Sequence, residues 1–126
     1  MLTKLLKSKI HRAIVTQTDV NYHGSITIDT DLLKSSGLLV NEAVIVADCE
    51  NGNRFETYVI PGNAGSGVIG VNGAAARLTQ VGHRVIVMSF VHADSNEINH
   101  HHSRVIIVDE KNKLLEVIEH KTIGDV

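Results

Sequence analysis

Within Asn21-Tyr22-His23-Gly24-Ser25 one pair of residues can react with its own backbone. A serine hydroxyl reaches the carbonyl carbon of the preceding residue through a five-membered ring. At a strained peptide this turns the amide into an ester through Ser25. Gly24 lacks the Cβ that would crowd the ring. The plainer reading of the same five residues is a turn, since Asn, Gly and Ser cluster between two apolar runs. Gly-Ser is a common pair, so the rest of the chain has to decide between the two readings.

Other residues offer charge. Lys4, Lys7, Lys9, His11 and Arg12 make the first segment basic, and Lys7, Lys9 and His11 share one face at period two. Such a row is either a solvated strand face or, given a partner, a place for an anion. In Asn72-Gly73-Ala74-Ala75-Ala76, Asn72 can cap a helical turn whose free N–H groups can hold a carboxylate. Gly62, Gly65, Gly67 and Gly70 precede a strand instead of following one, so they make no dinucleotide motif. Consecutive side chains rarely converge on one ion, so His100-His101-His102 reads as a polar surface loop and no metal site is expected.

The elements that must position these groups are mostly strands. Residues 2–16, 25–28, 42–49, 54–60, 68–71, 85–91, 105–108 and 114–118 are rich in aliphatic and β-branched residues. Asp29 or Thr30 caps a short helix that Gly37 closes. Asn51-Gly52 marks a hairpin, residues 61–67 a loop, and residues 109–113 a second hairpin turn. With no sustained βαβ alternation, the pattern predicts a mainly β fold, a small β-barrel with short helices. One domain over 1–126 is expected, since 126 residues with 43% hydrophobic and 21% charged residues suit a single core. A net charge of −2 and 3% aromatics argue against nucleic acid as a partner. The single cysteine, Cys49, fits a reducing compartment. No apolar run is long enough to span a bilayer, and the first residues lack the apolar stretch of a signal peptide.

Several segments, each weak alone, occur together in order. They are Ser8-Lys9 with His11-Arg12, Tyr22-His23-Gly24-Ser25, the run from Asn51 to Tyr58, Asn72-Gly73-Ala74-Ala75-Ala76, and Val81-Gly82-His83. From about Lys9 to Val91 the chain resembles the aspartate 1-decarboxylase family, pyruvoyl-dependent enzymes that make β-alanine for pantothenate and coenzyme A. The resemblance implies a double-psi β-barrel, a cytoplasmic homotetramer with sites between subunits, and self-cleavage into residues 1–24 and 25–126. It implies that Ser25 becomes a pyruvoyl group that forms a Schiff base with L-aspartate, with no metal or external cofactor, and it leaves room for a maturation factor. Gly24, Ser25 and Thr57 would serve processing, and Tyr58 would donate the proton. Lys9, Arg54, Thr57, Asn72, Gly73, Ala74 and Ala75 would bind substrate, supported by His11, Tyr22 and Ile86. Some members carry tryptophan where this chain has Ala47, so one pocket wall is expected to be more open. The segment after about Ala93 lies outside the resemblance. The rivals are a pyruvoyl enzyme for another amino acid and a non-enzymatic binding module. On a regular strand Arg54 and Tyr58 share a face and Thr57 points away. Either the strand bulges there, or its two faces serve different parts of the site.

Overall fold

The computed structural model describes residues 1–124; the last two residues of the expected 1–126 domain, and of its 25–126 fragment, lie outside them. The described residues are mostly strand, as their β-branched runs require. The strands are β1 (Thr3–Ile14), β2 (Gln17–Asp19), β3 (Ser25–Asp29), β4 (Ala43–Asp48), β5 (Arg54–Gly62), β6 (Ile69–Asn72), β7 (Arg84–Ala93), β8 (His102–Val108) and β9 (Leu114–Lys121). They hydrogen-bond in the order β2-β6-β3-β5-β4-β7-β1-β8-β9. Three pairings, β1 with β8, β2 with β6 and β3 with β5, are parallel and join segments distant in sequence.

The sheet curls so that one face closes on an aliphatic core containing Ile10, Ile26, Val46, Val59, Val87 and Ile106, all fully buried. Backbone bonds from Thr16 to Ile69 and from Val15 to His83 bring the end of β1 against β6 and the start of β7. Asn112, buried in the turn between β8 and β9, pins this closure. Its side chain bonds both backbone groups of Ile14 and donates to the Gly67 carbonyl.

Two short helices sit outside the sheet, α1 (Thr30–Ser36) and α2 (Ser95–Ile98). Asp29 caps α1 and Gly37 ends it in the left-handed conformation, at a φ of 81°. Burial pushes the Asp29 carboxyl up, but the N–H groups of Gly67, Asp31 and Gly65 outweigh it and hold Asp29 below the usual carboxylate range. Helix α2 carries a capping box between Asp94 and Glu97.

Some sequence expectations need correction. Pro61 and Gly62 do not open a loop; they extend β5 and pair with Ile28 and Asp29. On the β4 side the last backbone bonds are those of Val59 with Glu42 and Asn41, and none is found beyond it among the described residues, so proline's missing N–H costs no ladder bond there. Asn72 makes no side-chain cap for the 3₁₀ helix at Gly73–Leu78; its amide is turned the other way. Lys7 is not free for a ligand anion. It falls in a bulge of β1, bonds the Gly37 carbonyl and pairs with Glu42 at 2.7 Å.

Candidate active site

Ser25 is the first residue of β3 and is 1% exposed. Its hydroxyl donates to the His23 carbonyl at 3.1 Å, so it is turned back along its own chain. The Asn72 amide donates to the same oxygen at 3.0 Å and to Thr27 Oγ1 at 3.1 Å. This contact follows from register. Ser25 pairs with Asn72 while Ile26 pairs with Val71, and the latter two face the core. Ser25, Asn72 and Thr27 therefore lie on the outer face of the sheet. Thr27 had no signal in the sequence, because its role depends on this long-range pairing.

Gly73 seals the other side. It has a φ of 80°, and a Cβ there would stand 2.6 Å from Gly24 Cα and 2.9 Å from Gly24 N. By contrast, a Cβ on Gly24 would meet nothing within 4 Å. Packing therefore demands glycine at 73 and makes no such demand at 24. Gly73→Ala is expected to lower the unfolding free energy by about 1–3 kcal/mol, because backbone meets backbone and no flexible side chain can yield. Denaturant unfolding reads this directly. A midpoint equal to the parent's would show that the close approach is not needed.

A cleft of about 520 Å³ opens beside Asn72. Gln17, Asp19, Tyr22, Thr27, Ile60 and Pro61 line it. Tyr22 is 51% exposed and meets the His23 ring edge-on at 5.5 Å between centroids. The lining holds one carboxylate, Asp19, and no cation, so this cleft alone does not suit a dianion.

The cations lie elsewhere. β5 runs unbroken against β4 from Tyr58, opposite Ala43, to Arg54, opposite Ala47. No bulge intervenes, so Arg54 and Tyr58 share the outer face while Thr57 faces the core side with Phe55 and Val59. No hydrogen bond joins the Thr57 side chain to Gly24 among the described residues. One step back from the pairing of Ile26 with Val59 sets Ser25 beside Tyr58. Tyr58 is 40% exposed. Arg54 stands four residues further along, roughly 13 Å by strand rise. Ile86 pairs with Ala47, and Lys9 pairs with Met88 in a row that continues through Ile45 to Glu56. Lys9 is thus four strands from β3 along the curled sheet. Neither Lys9 nor Arg54 makes a hydrogen bond or ion pair among the described residues. His11, two residues beyond Lys9, is held below the usual histidine range by burial and by the Lys9 and Arg12 charges. Pairing and contacts bring Ser25, Asn72, Gly73 and Tyr58 together, while no hydrogen bond or ion pair links Lys9 or Arg54 to them among the described residues. Ala74 is exposed and Ala75 half-buried on the 3₁₀ helix.

The histidine run does not converge. His101 bonds the Leu6 carbonyl, and His102 opens β8 with Glu119 at 3.6 Å. Asp48, Glu50 and His83 form the one group of three among the described residues close enough to share a cation. Their oxygens are already engaged: Asp48 takes four protein donors and Glu50 accepts the Arg84 N–H.

Comparison with known proteins decides the family. The family model for aspartate decarboxylase matches residues 1–115. The chain belongs to the aspartate decarboxylase family. It is 51% identical over 117 residues to an aspartate 1-decarboxylase of Caldicellulosiruptor saccharolyticus, covering 93% of this chain and 91% of the relative. The relative of that name from Neisseria meningitidis is 50% identical over 121 residues, covering 96% and 95%. The one from Acetivibrio thermocellus is 48% identical over all 126 residues of this chain and 100% of its own length. The family match therefore runs past Ala93 and takes in the C-terminal segment that the sequence resemblance left out. The family assignment sets aside the non-enzymatic binding module. Among the described residues no helix is long and apolar enough to cross a membrane.

Proposed function

We propose that this chain cuts itself between Gly24 and Ser25 and then converts L-aspartate to β-alanine and CO₂, the step that feeds pantothenate and coenzyme A. The observation that carries the reading is the buried Ser25 hydroxyl, aimed back along its chain and fixed by Asn72 against the Gly24–Gly73 contact. Acyl shift to Ser25 Oγ gives an ester. Loss of the Cα proton then expels the Gly24 carboxylate and leaves dehydroalanine. Water replaces the amino nitrogen, which departs as ammonia, and a pyruvoyl group heads the 25–126 fragment.

The surroundings of Ser25 fit that group: Asn72 offers N–H bonds to an oxygen, and among the described residues no charged side chain bonds there. The group would take up the electron pair released as CO₂ leaves, so no metal or external cofactor is called for. The protein supplies charge and orientation. Lys9 and Arg54 make no hydrogen bond or ion pair among the described residues, and L-aspartate brings two carboxylates. Asn72 and the backbone of Gly73, Ala74 and Ala75 would complete the pocket, with His11, Tyr22 and Ile86 as its supports. Tyr58, beside Ser25, is the proton donor in this reading.

The outward splay of Lys9 and Arg54 from Ser25 supports sites completed by a neighbouring copy, in a homotetramer of double-psi barrels. Partly uncovered Ile45, Ile86 and Met88 on the same outer face favour such burial. We place the enzyme in the cytoplasm, where the free, exposed Cys49 would stay reduced. A separate maturation factor would act on the exposed turn at residues 20–24.

Intact mass tests the reading. Fragments 1–24 and 25–126 should appear, the larger lighter by one ammonia than a serine-ended chain. Only full-length chain after prolonged warm incubation would overturn it. L-Glutamate offered beside L-aspartate, with CO₂ measured, sorts the substrate. Arg54→Lys is expected to lower kcat/KM on aspartate about tenfold, since a point charge replaces one of two charge-assisted bonds. Equal values for the processed proteins would remove Arg54 from binding.

A further inference from the structure

One buried carboxylate outside the proposed site touches the segments that carry both of its halves. Asp48 closes β4, and its side chain is fully buried. One oxygen, Oδ1, accepts the N–H groups of Glu50 and Asn51 at 2.8 and 3.2 Å. The other, Oδ2, accepts the Thr79 hydroxyl at 2.7 Å and lies 2.8 Å from His83 Nδ1. Its backbone also bonds Asn53 and Gly52. From the same turn, the Asn51 and Asn53 amides both donate to the Leu78 carbonyl. The 49–53 turn is thereby bound to the end of the 3₁₀ helix that starts at Gly73. That turn delivers Arg54, whose own side chain has no anchor among the described residues.

We propose that Asp48 is a positioning residue for substrate binding: it fixes the backbone that carries Arg54 against the segment that carries Gly73–Ala75. Thr79 and His83 hold the carboxylate from the helix side, and the turn N–H groups hold it from the other. The proposal rests on the aspartate reading above.

The test compares Asp48→Ala and Asp48→Asn, each with Arg54 intact and with Arg54→Ala, as full chains. Mass spectra first establish cleavage, and kcat and KM on L-aspartate follow on processed protein. Asp48→Ala is expected to raise KM about tenfold with kcat within about twofold of the parent, because misplacement of a binding group is costly. Asp48→Asn keeps an oxygen acceptor for the turn and should recover most of the loss. With Arg54→Ala, the Asp48 change should add less than about twofold, since the residue it positions is gone. Equal fold losses in both backgrounds, or a lowered melting temperature with KM unmoved, would overturn the proposal. If Asp48→Ala does not fold, Thr79→Val, which removes the hydroxyl that holds Asp48 Oδ2 from the helix side, carries the comparison: a raised KM with Arg54 and none without it supports the proposal, and an unmoved KM overturns it. A parent chain that never cleaves fails the functional reading instead, and mass shows that before any kinetics.

Discussion

Ser25→Ala chain is expected to remain at its full mass however long it is incubated, and to release no CO₂ from L-aspartate. The acyl shift needs an oxygen at this position, and alanine offers none. The fold should survive the change. Removing the hydroxyl takes one bond from the part-buried His23 carbonyl and one from the Asn72 amide, which keeps its bond to Thr27 Oγ1. The cost is about 1 kcal/mol, small beside a domain's stability. Loss of cleavage with an unfolding free energy within about 1 kcal/mol of the parent's would therefore locate the defect in chemistry. A Ser25→Ala preparation yielding a fragment that begins at residue 25 would sink the mechanism, because cleavage would then not use that hydroxyl.

Local signals in the sequence were legible where a single residue type forces the backbone. Asp29 and Gly37 bounded α1 from the sequence, since an acceptor at one end and a left-handed turn at the other are local demands. Strands with dense β-branched residues, such as β4 and β7, were also legible. Strand β2, Gln17–Asp19, was not: it is short and polar, and it is extended because β6 lies beside it. Helix α2 went unread although Asp94 and Glu97 stand at capping-box spacing. Four residues with no apolar period give little else to read. The strand order was hidden because its three parallel pairings depend on which distant segments meet.

The same division runs through the candidate site. Period two put Arg54 and Tyr58 on one face, and the unbroken register of β5 bears that out. The link between Ser25 and Asn72 was not readable, because it spans 47 positions. Nor was the tie between Asp48 and His83, which spans 35. Period two also put Lys7 on one face with Lys9 and His11, but a bulge and Glu42 take it elsewhere. Convergence across a sheet depends on strand order, and strand order was the least legible feature.

Tyr58 and Thr57 are adjacent, yet their substitutions should fail at different steps. Tyr58 lies on the outer face beside Ser25, half-open to solvent, and its phenol makes no hydrogen bond among the described residues. In the proposed reaction it would meet the substrate and deliver a proton to the carbon that loses CO₂. General acid catalysis of this kind contributes about 10²–10⁴-fold. Tyr58→Phe should therefore cleave at the parental rate, bind L-aspartate with a near-parental KM, and form β-alanine about 10²–10⁴-fold more slowly. Thr57 points to the opposite face of the same strand. Its proposed task is donation to the Gly24 carbonyl oxygen in the precursor, so Thr57→Val should delay the 25–126 fragment. Whatever fraction does mature should turn over largely as the parent does. Mass spectra follow the first step and CO₂ release the second, so the two defects are read independently. A processed Tyr58→Phe enzyme that made β-alanine at the parental rate would remove Tyr58 as the acid, and the proton would then have to come from another group or from water.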